Sequence, residues 1–139
     1  MEDNGLNAFA ANNVYKESVT PVVLVTGAAK RIGATIARRL HASGYSVIIH
    51  FSTSSNEAKA LVNELNQSRE NSAACLQGDL CDKDSVQSLA EQSVAIWGRL
   101  DLLVNNASSF YPTPLGEITE DDWSSLVGSN VKGPLFLSQ

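Results

Sequence analysis

A buried-strand pattern that runs straight into a glycine turn constrains the fold of this chain more than any other feature. Val22-Val23-Leu24-Val25 is a continuous apolar run, which is typical of a strand covered on both faces. Gly27 follows it, and apolar residues then recur at helical spacing until Gly44 supplies a helix C-terminal cap. A buried strand, a tight turn and an amphipathic helix in this order predict the first unit of a parallel α/β sheet.

The same alternation continues along the chain. Further strands are predicted at 47–51, 73–77 and 100–104, and a final helix is predicted to open at Thr119-x-x-Asp122, which resembles a capping box. Right-handed crossovers then give an α/β fold of the Rossmann type, a doubly wound parallel sheet with helices on both faces. Residues 1–20 show no sustained period, so we expect a flexible N-terminal tail followed by one domain over 21–139.

Helical spacing also predicts which residues face the core. In the first helix the apolar face is expected to contain Ile32, Ile36, Ala37 and Leu40. In the third helix the expected stripe contains Val86, Leu89, Ala90, Val94 and Trp97. Both helices are therefore expected to bury these faces against the sheet.

The composition argues against several classes of protein. The 139 residues carry a formal charge of −5 and 43% are hydrophobic, so the chain can build a core but is a poor candidate for binding nucleic acid or a membrane surface. No stretch approaches the roughly 18 apolar residues of a membrane span. The first twenty residues also show no basic region followed by an apolar run, which is the pattern expected of a secretory signal. Cys75 and Cys81 do not form a C-x-x-C pair, which favours a reducing compartment. We therefore expect a cytoplasmic protein without a metal site.

The glycine turn itself has the composition of a phosphate-binding loop. Thr26-Gly27-Ala28-Ala29-Lys30-Arg31-Ile32-Gly33 joins the first strand to the first helix, whose N-terminus offers free N–H groups and the positive end of the helix dipole. Arg31 stands where the dinucleotide fingerprint has its middle glycine, so a plain strand–helix connection is the alternative. We predict that the turn binds a cofactor through Gly27, Lys30, Arg31, Ile32 and Gly33.

The end of the second strand indicates which nicotinamide cofactor fits. An NAD site usually has an acidic residue about 20 positions beyond the first glycines, where it binds the ribose hydroxyls. The segment 45–56 contains no Asp or Glu but offers His50 and Ser52, with Lys30 and Arg31 in the nearby turn. A 2′-phosphate would meet donors and cations there, which favours NADPH.

Polar residues also follow the other two predicted strands. Asp79-Leu80 comes after the third strand, and Asn106-Ala107-Ser108 comes after the fourth, at the sheet edge where open α/β folds bind ligands. We predict that all five contact the cofactor, although each could be an ordinary turn residue. Asn130 is a poor helix former inside the last predicted helix and is either solvated or functional.

Taken together, these motifs resemble the short-chain dehydrogenase/reductase family over residues 22–139. The resemblance is carried by Thr26-Gly27-x-x-x-Arg31-x-Gly33, Asp79-Leu80, Asn105-Asn106-Ala107 and Asn130-Val131-Lys132-Gly133. It implies an NADP-dependent oxidoreductase that acts on a small molecule, forms a homodimer or homotetramer at full length, and uses Asn130 in support of its active site. Many family members have a basic residue where this chain has Thr53, which leaves the strength of the NADPH preference open.

Within the family, the segment from Asn106 to Pro114 is similar to that of the pteridine reductases, as are Arg31 and the His50 region. This resemblance implies a substrate such as dihydrobiopterin or dihydrofolate, contacted by Arg31 and Ser108 and stacked on Phe110. The alternative for Phe110 and Tyr111 is a hydrophobic pair that anchors the loop.

The family's catalytic Tyr-x-x-x-Lys motif belongs to a later helix. Neither Tyr45 nor Tyr111 has a lysine four positions on, because Ile49 and Leu115 stand there. We therefore expect a domain that is incomplete at its C-terminus and inactive as 139 residues alone. Two alternatives stay open: a non-catalytic chain that binds a dinucleotide or a partner, and a reductase of another small carbonyl compound.

Overall fold

Four parallel strands form the centre of the molecule. A computed structural model describes residues 19–139, so the predicted tail lies outside the described residues except for its last two positions. The strands are β1 (Val22–Val25), β2 (Ser46–Phe51), β3 (Ala73–Gln77) and β4 (Leu102–Val104), and their order in the sheet is β3-β2-β1-β4. All three pairings are parallel, as predicted. The chain reverses direction across the sheet between β1 and β4, which is where folds of this class bind ligands.

Helices cover both faces of the sheet. They are α1 (Arg31–Ala42), α2 (Ser55–Ser68), α3 (Lys83–Trp97), α4 (Glu120–Val127) and α5 (Gly133–Leu137), and a π-helical turn, Gly128–Lys132, joins the last two. Helices α1 and α2 pack on one face of the sheet, and helices α3 and α5 pack on the other face. The predicted doubly wound arrangement is therefore confirmed.

The side-chain alternation of β1 divides the core between these layers. Val23 and Val25 contact the α1 and α2 layer, whereas Val22 and Leu24 contact the layer that contains Leu89 of α3. All four strand residues are at most 1% exposed. Burial on both faces explains why the sequence of β1 is apolar without alternation.

The predicted apolar faces of α1 and α3 are each wrong at one position. Ile32 is 72% exposed, because α1 approaches the sheet through its small residues Gly33, Ala34 and Ala37. Val94 is 44% exposed, and the buried position beside it is Ser93, whose hydroxyl donates to the carbonyl oxygen of Leu89 at 2.7 Å. That internal hydrogen bond allows a polar residue to occupy the buried stripe.

The last predicted helix begins as expected but is not continuous. Thr119 Oγ1 accepts a hydrogen bond from the N–H of Asp122 at 3.2 Å, and the Asp122 carboxylate accepts one from the N–H of Thr119 at 2.9 Å. The capping box is therefore formed. The π-helical turn then interrupts the helix around Asn130, a feature that the helical spacing does not predict. None of the helices in the described part of the chain has the length and apolar character of a transmembrane span.

A carboxylate just before β4 links that strand to β1 and yields a prediction about acid stability. Asp101 accepts hydrogen bonds from Arg99 Nε at 2.8 Å and from the N–H of Val22 at 2.7 Å. The Arg99 guanidinium is the larger cause and the Val22 N–H is the smaller one, and together they lower the pKa of Asp101 to about 2. A depressed carboxyl pKa stabilises the fold above the unfolded value near 3.8 and loses that effect as the pH falls through 2.

We therefore expect Asp101→Asn to lower the free energy of unfolding at pH 7, with the difference from wild type shrinking as the pH approaches 2. Urea denaturation of both proteins at pH 7, 4 and 2 measures this difference. A gap that stays constant over the series contradicts the assigned role of the Asp101 charge.

Candidate functional site

The carboxyl ends of all four strands open into one cleft of about 510 Å³. The structure brings together there every residue that the sequence suggested for cofactor binding, namely Gly27, Lys30, Arg31, Ile32, Gly33, His50, Ser52, Asp79, Leu80, Asn106, Ala107 and Ser108. They come from four separate segments, which meet because the strands are parallel and end at the same sheet edge. Ile32, misplaced in the predicted core, lies on the wall of this cleft.

Two glycines allow the β1–α1 turn to lie against the loop after β4. Gly27 has a φ of +61°, and a Cβ added there would lie 2.9 Å from the Cα of Ala107. A Cβ on Gly33 would lie 2.4 Å from the carbonyl oxygen of Gly27 and 2.6 Å from Nδ2 of Asn106. Real Cβ atoms do not approach other atoms so closely, so any larger residue would force the two segments apart.

Side chains of Thr26 and Asn106 join the same two segments. The hydroxyl oxygen of Thr26 accepts hydrogen bonds from the N–H groups of Asn106 and Ala107, both at 3.0 Å. Asn106 Nδ2 donates in return to the carbonyl oxygens of Thr26 at 2.9 Å and Gly27 at 3.2 Å. The sequence placed Thr26 in the family motif but gave it no role of its own, and its position directly after a buried strand is the other signal that points to it.

The N-terminus of α1 faces the cleft without a capping side chain. Its N-cap residue, Lys30, makes no side-chain cap hydrogen bond, and the first turn contains no acidic residue. Arg31 begins the helix with a φ of +54°, in the left-handed region, where glycine is ordinarily found. Holding a non-glycine residue in such a conformation costs about 1–3 kcal/mol, and strain of this kind clusters at ligand sites.

His50 is placed differently from the cofactor ligand that the sequence suggests. It lies at the end of β2 and is only 2% exposed. Nδ1 accepts a hydrogen bond from the N–H of Gly27 at 3.1 Å, and Nε2 lies 3.1 Å from the carbonyl oxygen of Gly78. Burial lowers the pKa of His50, and the Gly78 carbonyl and the Asp79 carboxylate oppose that shift only in part.

Two predicted residues, Asn130 and Phe110, do not line the cleft. Asn130 lies in the π-helical turn, where Oδ1 accepts from the N–H of Ser109 at 2.9 Å and Nδ2 donates to its carbonyl oxygen at 2.8 Å. Phe110 follows Ser109 and is 90% exposed, which does not fit the alternative of an anchoring pair. Asn130 therefore holds the backbone of the loop that carries Ser108 into the cleft.

Four cleft residues were not suggested by the sequence: Gly78, Cys81, Ser109 and Ser129. Each is the immediate neighbour of a suggested residue, so the sequence signal was adjacency alone. Burial is the main cause that raises the pKa of the Cys81 thiol, and the nearby Asp79 raises it further. The sulfur therefore stays protonated near neutral pH. Within residues 19–139, no group of three or more His, Cys, Asp or Glu side chains is placed to hold a metal ion.

Comparison with known proteins adds a second kind of observation. A family model described as short chain dehydrogenase matches residues 21–139. Pteridine reductase 1 of Leishmania tarentolae is 41% identical over an alignment of 148 positions, which covers 84% of this chain and 51% of that protein. The 3-oxoacyl-(acyl-carrier-protein) reductase FabG of Staphylococcus aureus is 35% identical over 115 residues, which cover 83% and 46% respectively.

A third relative is the short chain dehydrogenase/reductase AacuN of Aspergillus aculeatus. It is 34% identical over 118 residues, which cover 85% of this chain and 44% of that protein. The chain therefore spans about half the length of these relatives.

The hydroxyl of Thr26 provides a direct test of how the site is held together. Thr26→Val keeps the shape of the side chain but removes the acceptor for two N–H groups, so we expect a loss of about 1–3 kcal/mol in unfolding free energy. Thr26→Ser keeps the hydroxyl and is the matched control. Chemical denaturation measures both variants, and a loss for Thr26→Val that does not exceed the loss for Thr26→Ser would contradict the assigned role of the hydroxyl.

Proposed function

Because this chain belongs to the short-chain dehydrogenase/reductase family, we propose that it carries the cofactor site of an NADPH-dependent reductase of pterins. The observation that supports the cofactor best is the uncapped N-terminus of α1 with Arg31 beside it, at the switch point of a parallel sheet. Backbone N–H groups and the helix dipole favour an anion at this place.

The residues of the cleft fit a dinucleotide in shape as well as in charge. Gly27 brings the turn against the loop after β4, and the first N–H groups of α1, which have no capping side chain, face the cleft and are open to a diphosphate. In the proposal, Lys30 and Ser52 bind the adenosine ribose and its 2′-phosphate, and Asp79 and Leu80 border the adenine. A bound nicotinamide dinucleotide would supply the hydride for reduction.

Charge in the turn favours the phosphorylated cofactor. Lys30 Nζ lies 3.2 Å from a carboxylate oxygen of Glu57, so part of its charge is already compensated. Arg31 forms no salt bridge with any other residue of 19–139. We infer that Arg31 is the main cation available to a 2′-phosphate, with Glu57 moderating the preference for NADPH over NADH.

The loop after β4 supports a flat aromatic substrate. Asn130 fixes the backbone at Ser109, and the adjacent Phe110 keeps its ring in solvent. An exposed ring on a held backbone can stack on a pterin. The 41% identity to a pteridine reductase supports this substrate class, whereas the 35% identity to FabG favours the second candidate, a reductase of another small carbonyl compound.

The cofactor preference is tested with Arg31→Gly in the protein at its full natural length. Glycine accepts the positive φ, so we expect the variant to be at least as stable as wild type while it binds NADPH about 1.5–3 kcal/mol more weakly. Arg31→Lys keeps a charge and should fall between the two. Calorimetric titration with NADPH and NADH measures the affinities. Wild-type kcat/KM that is equal or better with NADH contradicts the proposal.

The substrate class is tested with Phe110→Ala, again at full length. Loss of a stacking ring should cost about 0.5–1.5 kcal/mol, and KM for dihydrobiopterin should rise more than KM for NADPH. Leu115→Ala removes another apolar side chain from the same loop, 98% exposed, and is the matched control. Steady-state kinetics gives both constants. If the two KM values rise together, or Leu115→Ala has the same effect, the pterin assignment loses its support.

A further inference from the structure

We propose that His50 is a positioning residue, which in its Nε2-protonated tautomer ties the glycine turn to the end of β3 and holds the turn in its phosphate-binding geometry. The identity of the ligand rests on the proposed function, whereas the two contacts that define the role of His50 belong to the fold itself. As a consequence, nucleotide affinity depends on His50 being neutral.

The tautomer follows from the partners of the ring. A backbone N–H can only donate, so the contact with Gly27 requires a lone pair on Nδ1. The carbonyl oxygen of Gly78 can only accept, so Nε2 must carry the proton. One neutral ring satisfies both groups, and neither the other tautomer nor the imidazolium does.

The backbone around His50 reinforces this connection. The N–H of Ala28 donates to the carbonyl oxygen of His50 at 2.9 Å, and the N–H of Gly78 donates to that of Phe51 at 3.1 Å. The His50 side chain thus bridges the glycine turn and the segment after β3, both of which also form backbone hydrogen bonds with the end of β2. Burial shields the ring from competing water, which makes each contact harder to replace.

His50 completes the support of the turn from the side opposite to Thr26. Thr26 and Asn106 hold the turn to the loop after β4, whereas His50 holds it to the β3 side of the sheet. Two residues in the turn, Gly27 and Arg31, have positive φ values of 61° and 54°. A turn with such conformations keeps its shape only when the surrounding structure fixes it from several directions.

Protonation would break the arrangement. A second ring proton on Nδ1 would face the Gly27 N–H, donor against donor. The charged groups around the ring are Asp79 after β3, which favours the imidazolium, and Lys30 and Arg31 of the turn, which line the same cleft. Because burial lowers the pKa of His50, the neutral form prevails at pH 7 and is lost only in acid, below the ordinary histidine range near 6.5.

The test compares His50→Asn with His50→Gln in the full-length protein, by calorimetric titration with NADP⁺ at pH 7.5 and at successively lower pH. Asn places an acceptor near the Nδ1 position and does not ionise, so its affinity at pH 7.5 should stay within about 3-fold of wild type. Gln reaches towards Gly78 but leaves the Gly27 N–H without an acceptor, so its affinity should fall by about 10-fold. Wild type should lose more affinity than His50→Asn as the pH falls through the range in which the His50 ring takes up a second proton. Titration of the cofactor's own 2′-phosphate affects all three proteins alike, so it cancels in the comparison of wild type with the variants.

Two further readouts separate positioning from a merely structural role. Nitrogen-15 spectra of histidine-labelled protein should show the His50 proton on Nε2. Hydrogen exchange at the Gly27 amide should be faster in the His50→Gln variant than in the His50→Asn variant. A proton on Nδ1, or equal affinity losses in both variants without a pH difference, overturns the proposal. If wild type binds no nicotinamide dinucleotide, the proposed function fails, while the spectra and the exchange rates still decide what His50 does.

Discussion

The close approach of the glycine turn to the loop after β4 is the constraint on which the rest of the site depends. No space remains for a Cβ at Gly27 or Gly33, so the two segments touch through backbone. Thr26 and Asn106 then satisfy the N–H and carbonyl groups that this contact buries. The N-terminus of α1 and the loop that carries Ser108 take their places relative to that joined pair of segments, because α1 starts from one of them and the loop continues from the other.

Much of the fold could be predicted from the sequence because its elements are strongly patterned. The apolar run 22–25 has no plausible place except the middle of a parallel sheet, and the capping box at Thr119 sets the start of α4. The errors come from tertiary choices. Ile32 and Ser93 show that helical spacing predicts which side of a helix is apolar on average, whereas close packing decides which of two neighbouring residues is buried.

The sequence could predict which residues share the candidate site but not the contacts that they make. Parallel strands deliver their C-terminal residues to one edge, so residues from four segments could be grouped without knowing any contact. The side-chain contacts themselves could not be predicted from the sequence. Whether His50 points to a ligand or to backbone depends on the direction of one side chain, and the pairing of Lys30 with Glu57 depends on how α2 starts relative to the turn.

The π-helical turn at Gly128–Lys132 has a consequence for how this chain tolerates insertions and deletions. Such a turn accommodates one residue more than a regular helix of the same length. Removing that residue would restore regular α-helical hydrogen bonding with α5 still in phase, but a residue inside the turn would shift by one position, about 100° around the helix axis. Asn130 would then leave Ser109, whereas Leu137 of α5 would keep its place against α3. The extra residue therefore allows the position of Asn130 and the packing of α5 to be set separately, so that a one-residue deletion in this turn would disturb the loop after β4 and spare the packing of α5.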